Sequence, residues 1–289
     1  MTIRCEFLDS GSLPSVYPTF VEAFADYALD MSYMSEGSFL NRAIKNGLDL
    51  DSSVGAFDGG RMVGFTLVGV DDWKEGRSAF DIATGILPAY RGKAIAGSMF
   101  DAVLPRLREK RVGRFVLEVL QENELAIRSY RKAGFAIERE FDCYQASPQS
   151  VLLEKSLDLP VELLALDRER LNELASFLDW QPSWENSLTS LKRIPDHLLL
   201  LAARHNGELI GALGYYPALA WVTTLAVDRR FRRHGVATEL MRLLVKRLEG
   251  HAAAIKVVNV QRDDLALGGL LRRSGFVVYA RQYEMELLL

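Results

Sequence analysis

Two stretches of the chain combine residue types that can hold an anion. Residues 89–99 read AYRGKAIAGSM and residues 230–240 read RFRRHGVATEL. Each is a cationic turn of small residues that runs into a helical pattern. The first backbone N–H groups of a helix have no partner within it, and the helix dipole adds partial positive charge there. Small side chains let phosphate oxygens reach that backbone. The first candidate anion site is therefore Leu87 at the strand end, then Arg91, Gly92, Lys93, Ala94, Ile95, Ala96 and Gly97. The second is Val227, then Arg232, Arg233, His234, Gly235, Val236 and Ala237. Two common phosphate loops are excluded, because neither GxxxxGK[ST] nor a strand followed by GxGxxG occurs. A solvated helix start is the competing reading of Arg91 and Lys93, and a wet surface that of Arg229, Arg230, Arg232 and Arg233. Like charges at a helix N-terminus oppose the dipole, which favours an anion partner.

The elements that position these turns recur. Arg91 aligns with Arg232 at an offset of 141, and Gly134-Phe135 aligns with Gly275-Phe276 at the same offset. Upstream, Gly64 in RMVGFTLV aligns with Gly211 in ELIGALGY at an offset of 147. The first copy thus holds six extra residues, assigned to DDWKEGRS as a longer hairpin loop. In each copy the order is the same: helices, a strand pair, a strand into the turn, a helix, a buried strand, a short helix ending at glycine, and a final strand. RERLNELASFLDW and SWENSLTSLKRI read as helices of the second copy. SVLLEKSL reads as an additional strand of the first copy that the second lacks. The expected domains are 1–157 and 158–289, joined through KSLDLPVE, where Pro160 favours an extended link.

Composition sets limits. With 289 residues, 49% hydrophobic and 25% charged, the chain can build one or two packed cores. A net charge of −3 argues against a nucleic-acid binder. No apolar run is long enough to span a bilayer, and MTIRCEFLDS has no signal-peptide core. Cys5 and Cys143 have no metal spacing, and the histidines at 197, 205, 234 and 251 are scattered. These features predict a cytoplasmic protein without a metal site, with no nucleic-acid or membrane partner, as a monomer or homodimer.

The turn pattern [Q/R]-x-x-[G/A]-x-[G/A] is followed by LEVLQENELAIRSYRKAGF, with Asn123, Ala126, Tyr130, Gly134 and Phe135. This combination resembles the GCN5-related N-acetyltransferase family, in two tandem copies that cover nearly the whole chain. The resemblance implies an α/β (α+β) fold. Each domain would be a mixed, mostly antiparallel twisted sheet with splayed central parallel strands, flanked by helices. It implies that the turn binds the pyrophosphate of acetyl-CoA, with Asn123 nearby, and that acetyl passes to a primary amine of a small molecule or peptide. The splayed pair would be SAFDIATGIL with RFVLEVLQ, and AWVTTLAV with AAIKVVNV.

The family's general-acid position falls on Tyr130, with a phenol suited to protonating a leaving thiolate. The matching residue of the second copy is Leu271, which cannot donate a proton. Asp81 is a candidate base acting through water, and Glu118 is a second. The bland readings are a core tyrosine, an exposed strand aspartate and a simple helix cap at Asn123. The second turn matches the family fully, whereas the first has Ala94 in the usual glycine place. Alanine resists positive φ, but if Ala94 lies in the first helical turn its φ is negative and the change is mild, so the N-terminal domain is the expected catalytic one. The acceptor pocket implied by the family would draw on Tyr27, Asp30, Tyr33 and Trp73, whose acidic and aromatic groups suit a cationic amine. Two alternatives stand beside this reading. One is catalysis in the C-terminal domain with Tyr279 or Tyr283 as acid. The other is a non-catalytic acyl-CoA sensor or scaffold.

Overall fold

The computed structural model describes residues 3–154 and 156–289. They form two compact units, residues 3–139 with Tyr283–Leu289, and Glu140–Gln282. The 157/158 boundary divides the sequence into its repeats, and the compact units divide it elsewhere because strands cross over.

The first copy opens with β1 (Ile3–Phe7), α1 (Val16–Ala23) and α2 (Glu36–Lys45). It continues with β2 (Val54–Asp58), β3 (Arg61–Trp73) and β4 (Gly76–Ile86). After the turn come α3 (Ile95–Glu109), β5 (Arg114–Leu120), α4 (Glu124–Lys132) and β6 (Ala136–Ala146). The second copy holds β7 (Glu162–Ala165), α5 (Leu188–Lys192), β8 (Leu199–His205), β9 (Glu208–Tyr216) and β10 (Trp221–Val227). It then has α6 (Val236–Leu248), β11 (Ile255–Gln261), α7 (Leu265–Arg273) and β12 (Val277–Leu288).

The parallel pair of each unit is short and splays. β4 pairs with β5 only from Ser78↔Arg114 to Asp81↔Leu117, and β10 with β11 only at Trp221↔Lys256 and Val222↔Val257. Each carries a bulge where the pairing ends, at Ile82 in β4 and Thr223 in β10. An extra residue on one strand breaks the ladder and bends the strand away. The first unit's core lies under α3 and α4, with Val63, Phe100, Phe115 and Phe135 buried together. In the second, Leu201, Ile210, Leu240 and Leu271 pack on one side of the sheet. Leu166, Leu171, Leu174 and Phe177 form a separate cluster with Ala202 and Ala212.

Four local expectations differ from the structure. The six extra residues of the first copy do not form a loop. They lengthen the hairpin, with Asp71↔Ser78, Asp72↔Arg77 and Trp73↔Gly76 paired across a turn at Lys74 and Glu75. RERLNELASF is a 3-10 helix over Arg168–Phe177, because Leu171, Leu174 and Phe177 repeat every three residues. That is the period of a 3-10 helix and not of an α-helix. SWENSLTSLKRI gives a 3-10 turn at Trp184–Asn186 before the short α5. SVLLEKSL is no strand. A 3-10 turn at Pro148–Ser150 precedes chain without regular structure, in which Lys155 lies outside the described residues.

The last strands are exchanged between the copies. β6 follows α4 of the first copy, yet its residues 141–146 pair antiparallel with β11, from Gln261↔Phe141 to Ile255↔Ala146. β12 follows α7 of the second copy, yet it lies beside β5 in the strand order, and Tyr283–Leu289 belong to the first unit. Charge supports this placement. Glu284 accepts from Arg139 Nε at 2.9 Å and Nη2 at 2.7 Å, and Glu286 meets Lys74 at 3.2 Å and Arg114 at 3.3 Å. Met285 between them is fully buried in the first core.

Candidate active site

The first unit brings Tyr130 and Asp81 together at the splay. Asn123 caps α4, its side-chain oxygen accepting from Ala126 N at 3.2 Å, and Gly134 ends the helix at φ 101°. This fixes Tyr130 on the inner face of α4, its ring edge-on to Phe100 and Phe135, each 5.8 Å away. Tyr130 is 9% exposed and Asp81 6%. The Tyr130 hydroxyl donates to Asp81 Oδ2 at 3.4 Å, and Thr84 Oγ1 donates to the same oxygen at 2.7 Å. Asp81 Oδ1 is buried with no hydrogen-bond partner. Burial first of all pushes the Asp81 carboxyl up to about 7, against the pull of Thr84, Tyr130 and the Arg42 charge. Burial and then the Asp81 charge hold the Tyr130 phenol well above its ordinary range. The phenol is thus a neutral donor at neutral pH, beside a carboxyl poised to take or give a proton.

Thr84 escapes sequence reasoning because residues three apart on a regular strand point to opposite faces. The bulge at Ile82 puts Asp81 and Thr84 on one face, and Arg42 Nη1 donates to the bulged Ile82 carbonyl at 3.0 Å. Tyr27 joins this cluster. It has a side-chain hydrogen bond with Asn123, and burial pushes its phenol up to about 12. Asn123 is therefore both a helix cap and a contact of Tyr27. Asp30 accepts from Ser32 N at 2.8 Å, and Tyr33 is exposed. Trp73 is buried at the hairpin tip under the Lys74 ammonium, 4.4 Å from its ring centre. Five strand residues, roughly 16 Å, separate that tip from Asp81. Glu118 is half-buried on β5.

The second unit replaces each polar group. Val222 stands for Asp81, Leu225 for Thr84 and Leu271 for Tyr130. Tyr283 belongs to the first unit and Tyr279 lies under Lys256 Nζ at 5.7 Å.

The two turns share one backbone conformation. Gly92 and Arg233 have φ of 77° and 69°, and Ala94 and Gly235 have φ of 59° and 88°. The expectation of a negative φ at Ala94 is thereby corrected: it precedes α3 as a left-handed cap. The arginines are tied down in the same way. Arg91 Nη1 meets Asp26 Oδ2 and Arg232 Nη1 meets Asp179 Oδ2, both at 2.6 Å, and each also donates to a backbone carbonyl, Ala23 or Phe177. Arg229 meets Asp179, and Arg230 meets Asp228 and Glu208. Lys93 sits over the Tyr90 ring at 4.7 Å.

The turns differ in their surroundings. Residues 91–94 of the first are exposed, with Ile95 buried, Ala96 half-buried and Leu87 buried at the strand end. In the second, Gly235 and Val236 are buried. The linker lies on them: a β-carbon built on Gly235 would stand 2.6 Å from the Ser156 carbonyl oxygen. Asp158 N donates to the His234 carbonyl at 3.2 Å, and His234 Nδ1 meets Asp158 Oδ1 at 2.7 Å. Ala237 is half-buried and Val227 buried. A cleft of about 510 Å³ opens between these elements and the splayed β10 and β11.

Two α/β units, each splaying a parallel strand pair beside a strand–turn–helix segment, define a tandem transferase fold. The model of the acetyltransferase (GNAT) family matches residues 15–135 and again 165–276, and the chain belongs to that family. Streptothricin acetyltransferase of Streptomyces lavendulae is 32% identical over 119 residues, which are 40% of this chain and 61% of that protein. The chain thus spans less than two thirds of that relative. A GCN5-related N-acetyltransferase from Sphaerobacter thermophilus superposes with a TM-score of 0.72 at 14% identity, covering 99% of this chain and 95% of that one. A tandem GNAT protein from the clavulanic acid biosynthesis pathway superposes at 0.73 and 15%, covering 99% and 98%. Among the described residues no helix is long and apolar enough to cross a membrane, and no cluster of histidine, cysteine and carboxylate side chains could hold a metal ion.

Proposed function

We propose that the chain is an acetyl-CoA-dependent N-acetyltransferase whose first unit moves acetyl to a primary amine of a small molecule or peptide. The observation that carries this reading is the buried pair of Tyr130 and Asp81, whose counterparts are leucine and valine. The exposed residues 91–94 leave room for a diphosphate, with no side chain or linker lying over Gly92. When bound there, the cofactor supplies an acetyl thioester. Asp81, through its unpartnered Oδ1, takes the proton that the amine loses on attack. Tyr130 gives its proton to the departing sulfur. The proton on Asp81 then returns to the Tyr130 oxygen across the 3.4 Å contact, and both groups are restored. Tyr27, held by Asn123 and next to Tyr130, borders the amine's approach.

Thiol release from acetyl-CoA over an amine library, in the native chain and in Tyr130→Phe, tests the reading. Release that falls steeply in the variant while coenzyme A still binds supports it. Equal turnover in both removes Tyr130 from the role, and tight cofactor binding with no release for any amine makes the chain a sensor.

A further inference from the structure

We infer that the outer edge of β1 docks β1 of a second copy of this chain, in an antiparallel two-fold pairing centred on Cys5. Among the described residues β1 is the outermost strand beside β2, in register from Ile3↔Asp58 to Phe7↔Val54. Leu8 N donates to the Ser53 carbonyl at 2.9 Å and continues that register. Peptide groups alternate in direction along an antiparallel strand. Those of Arg4, Glu6 and Leu8 therefore face β2, and those of Ile3, Cys5 and Phe7 face outward. The edge lacks two usual guards: IRCEF contains no proline, and its ladder with β2 has no bulge.

Charge selects both the partner and the register. Ile3 and Cys5 pack on the first core, and Phe7 lies under the Arg106 guanidinium of α3, 4.7 Å from its ring centre. Arg4 and Glu6 alternate onto the other face, with side chains 66% and 52% exposed. Outward peptide groups must meet outward ones, so the pairings that overlap most of the strand are centred on Arg4, Cys5 or Glu6. The first sets Arg4 against Arg4 and the third Glu6 against Glu6, and like charges directly opposite repel. The pairing on Cys5 overlaps the whole strand. It sets Arg4 against Glu6 of the second copy on both sides of the axis, and Ile3 against Phe7. In the second unit the outermost strand, β7, has Glu162 as its only charged residue and offers no such match. An edge this short makes a reversible dimer and not a permanent one. Acetyl transfer in the first unit does not depend on it, so either reading can fail alone.

Sedimentation of the full chain over a range of concentrations tests this. The native chain is expected to pass reversibly from monomer to dimer. Arg4→Glu and Glu6→Arg each turn both cross-strand pairs into like charges, and each is expected to weaken the dimer about tenfold. The double variant Arg4→Glu/Glu6→Arg restores opposite charges and is expected to return to within about threefold of the native affinity. An equal mixture of the two single variants sets an acidic strand against a basic one, and is expected to associate more tightly than either alone. Both side chains are exposed, so the melting temperatures are expected to stay unchanged. A monomer at every concentration up to about 1 mM overturns the inference and leaves the edge to a different strand. Native affinity in both single variants overturns it too, as does a double variant as weak as the singles.

Discussion

Ala94 and Gly235 hold the same left-handed conformation at matching positions of the two copies, with φ of 59° and 88°. A β-carbon is disfavoured there by about 1 kcal/mol. Ala94→Gly is therefore expected to stabilise the first unit by about 1 kcal/mol, or roughly 2–4 °C in melting temperature. Gly235→Ala is expected to cost about 2 kcal/mol, because its β-carbon would also meet the Ser156 carbonyl. Thermal melts of both variants check the pair, and a stabilised Gly235→Ala would contradict the linker contact.

Tyr130→Phe keeps the ring packing against Phe100 and Phe135 and deletes only the hydroxyl. Turnover is expected to fall about 10²- to 10⁴-fold, the range for a lost general acid, with cofactor affinity unchanged. Steady-state kinetics with calorimetric binding separates the two effects. Leu271→Tyr is expected to confer no activity, since Val222 and Leu225 leave that position without a carboxylate or a hydroxyl.

Asp81 gives two pH dependences of opposite sign. As a base it must be ionised, so kcat/KM is expected to rise with pH through about 7 and to lose that limb in Asp81→Asn. For folding the sign reverses. The folded state keeps a proton that the unfolded chain releases near pH 4, so stability is full below about 4 and declines as pH rises through about 7. Asp81→Asn is expected to flatten this decline in denaturant titrations across that window.

Coenzyme A is expected to bind with a stoichiometry of one per chain, at the exposed turn of the first unit. Calorimetry measures this directly. A stoichiometry of two would mean that Ser156 and Asp158 leave the second turn when the cofactor arrives.

The turns, the helices behind them and the leucine at 271 opposite Tyr130 were legible because each is written in short runs of local sequence. What escaped was non-local. The closing strand of the first copy, FAIEREFDCYQA, is legible as a strand, but nothing in its residues names the neighbour, and β6 pairs with the other copy's β11. The same holds for Thr84, which a single bulged residue turns towards Asp81. The three-residue spacing of Leu171, Leu174 and Phe177 was a readable signal for the 3-10 helix that the helical reading passed over. The left-handed Ala94 hid because alanine gives no sequence warning of positive φ.

Glu284→Ala is expected to destabilise the first unit by about 3 kcal/mol, because it leaves the Arg139 guanidinium without its bidentate carboxylate in a buried setting. Chemical denaturation of the variant measures it. A chain ending at Gln282 is expected to lose the Tyr130–Asp81 site, since β5 would lack its neighbour and the first core would lack Met285.

The exchange of β6 and β12 also sets an order of assembly during synthesis. The half that is translated first is the half that is finished last. Its closing segment, Tyr283–Leu289, follows the entire stretch from Glu140 to Gln282. At ribosomal speeds that stretch takes roughly 7–30 s to make. Throughout that interval β5 presents an unpaired edge, the kind of surface that recruits foreign strands. A nascent chain of this build has reason to depend on a chaperone until its final strand arrives.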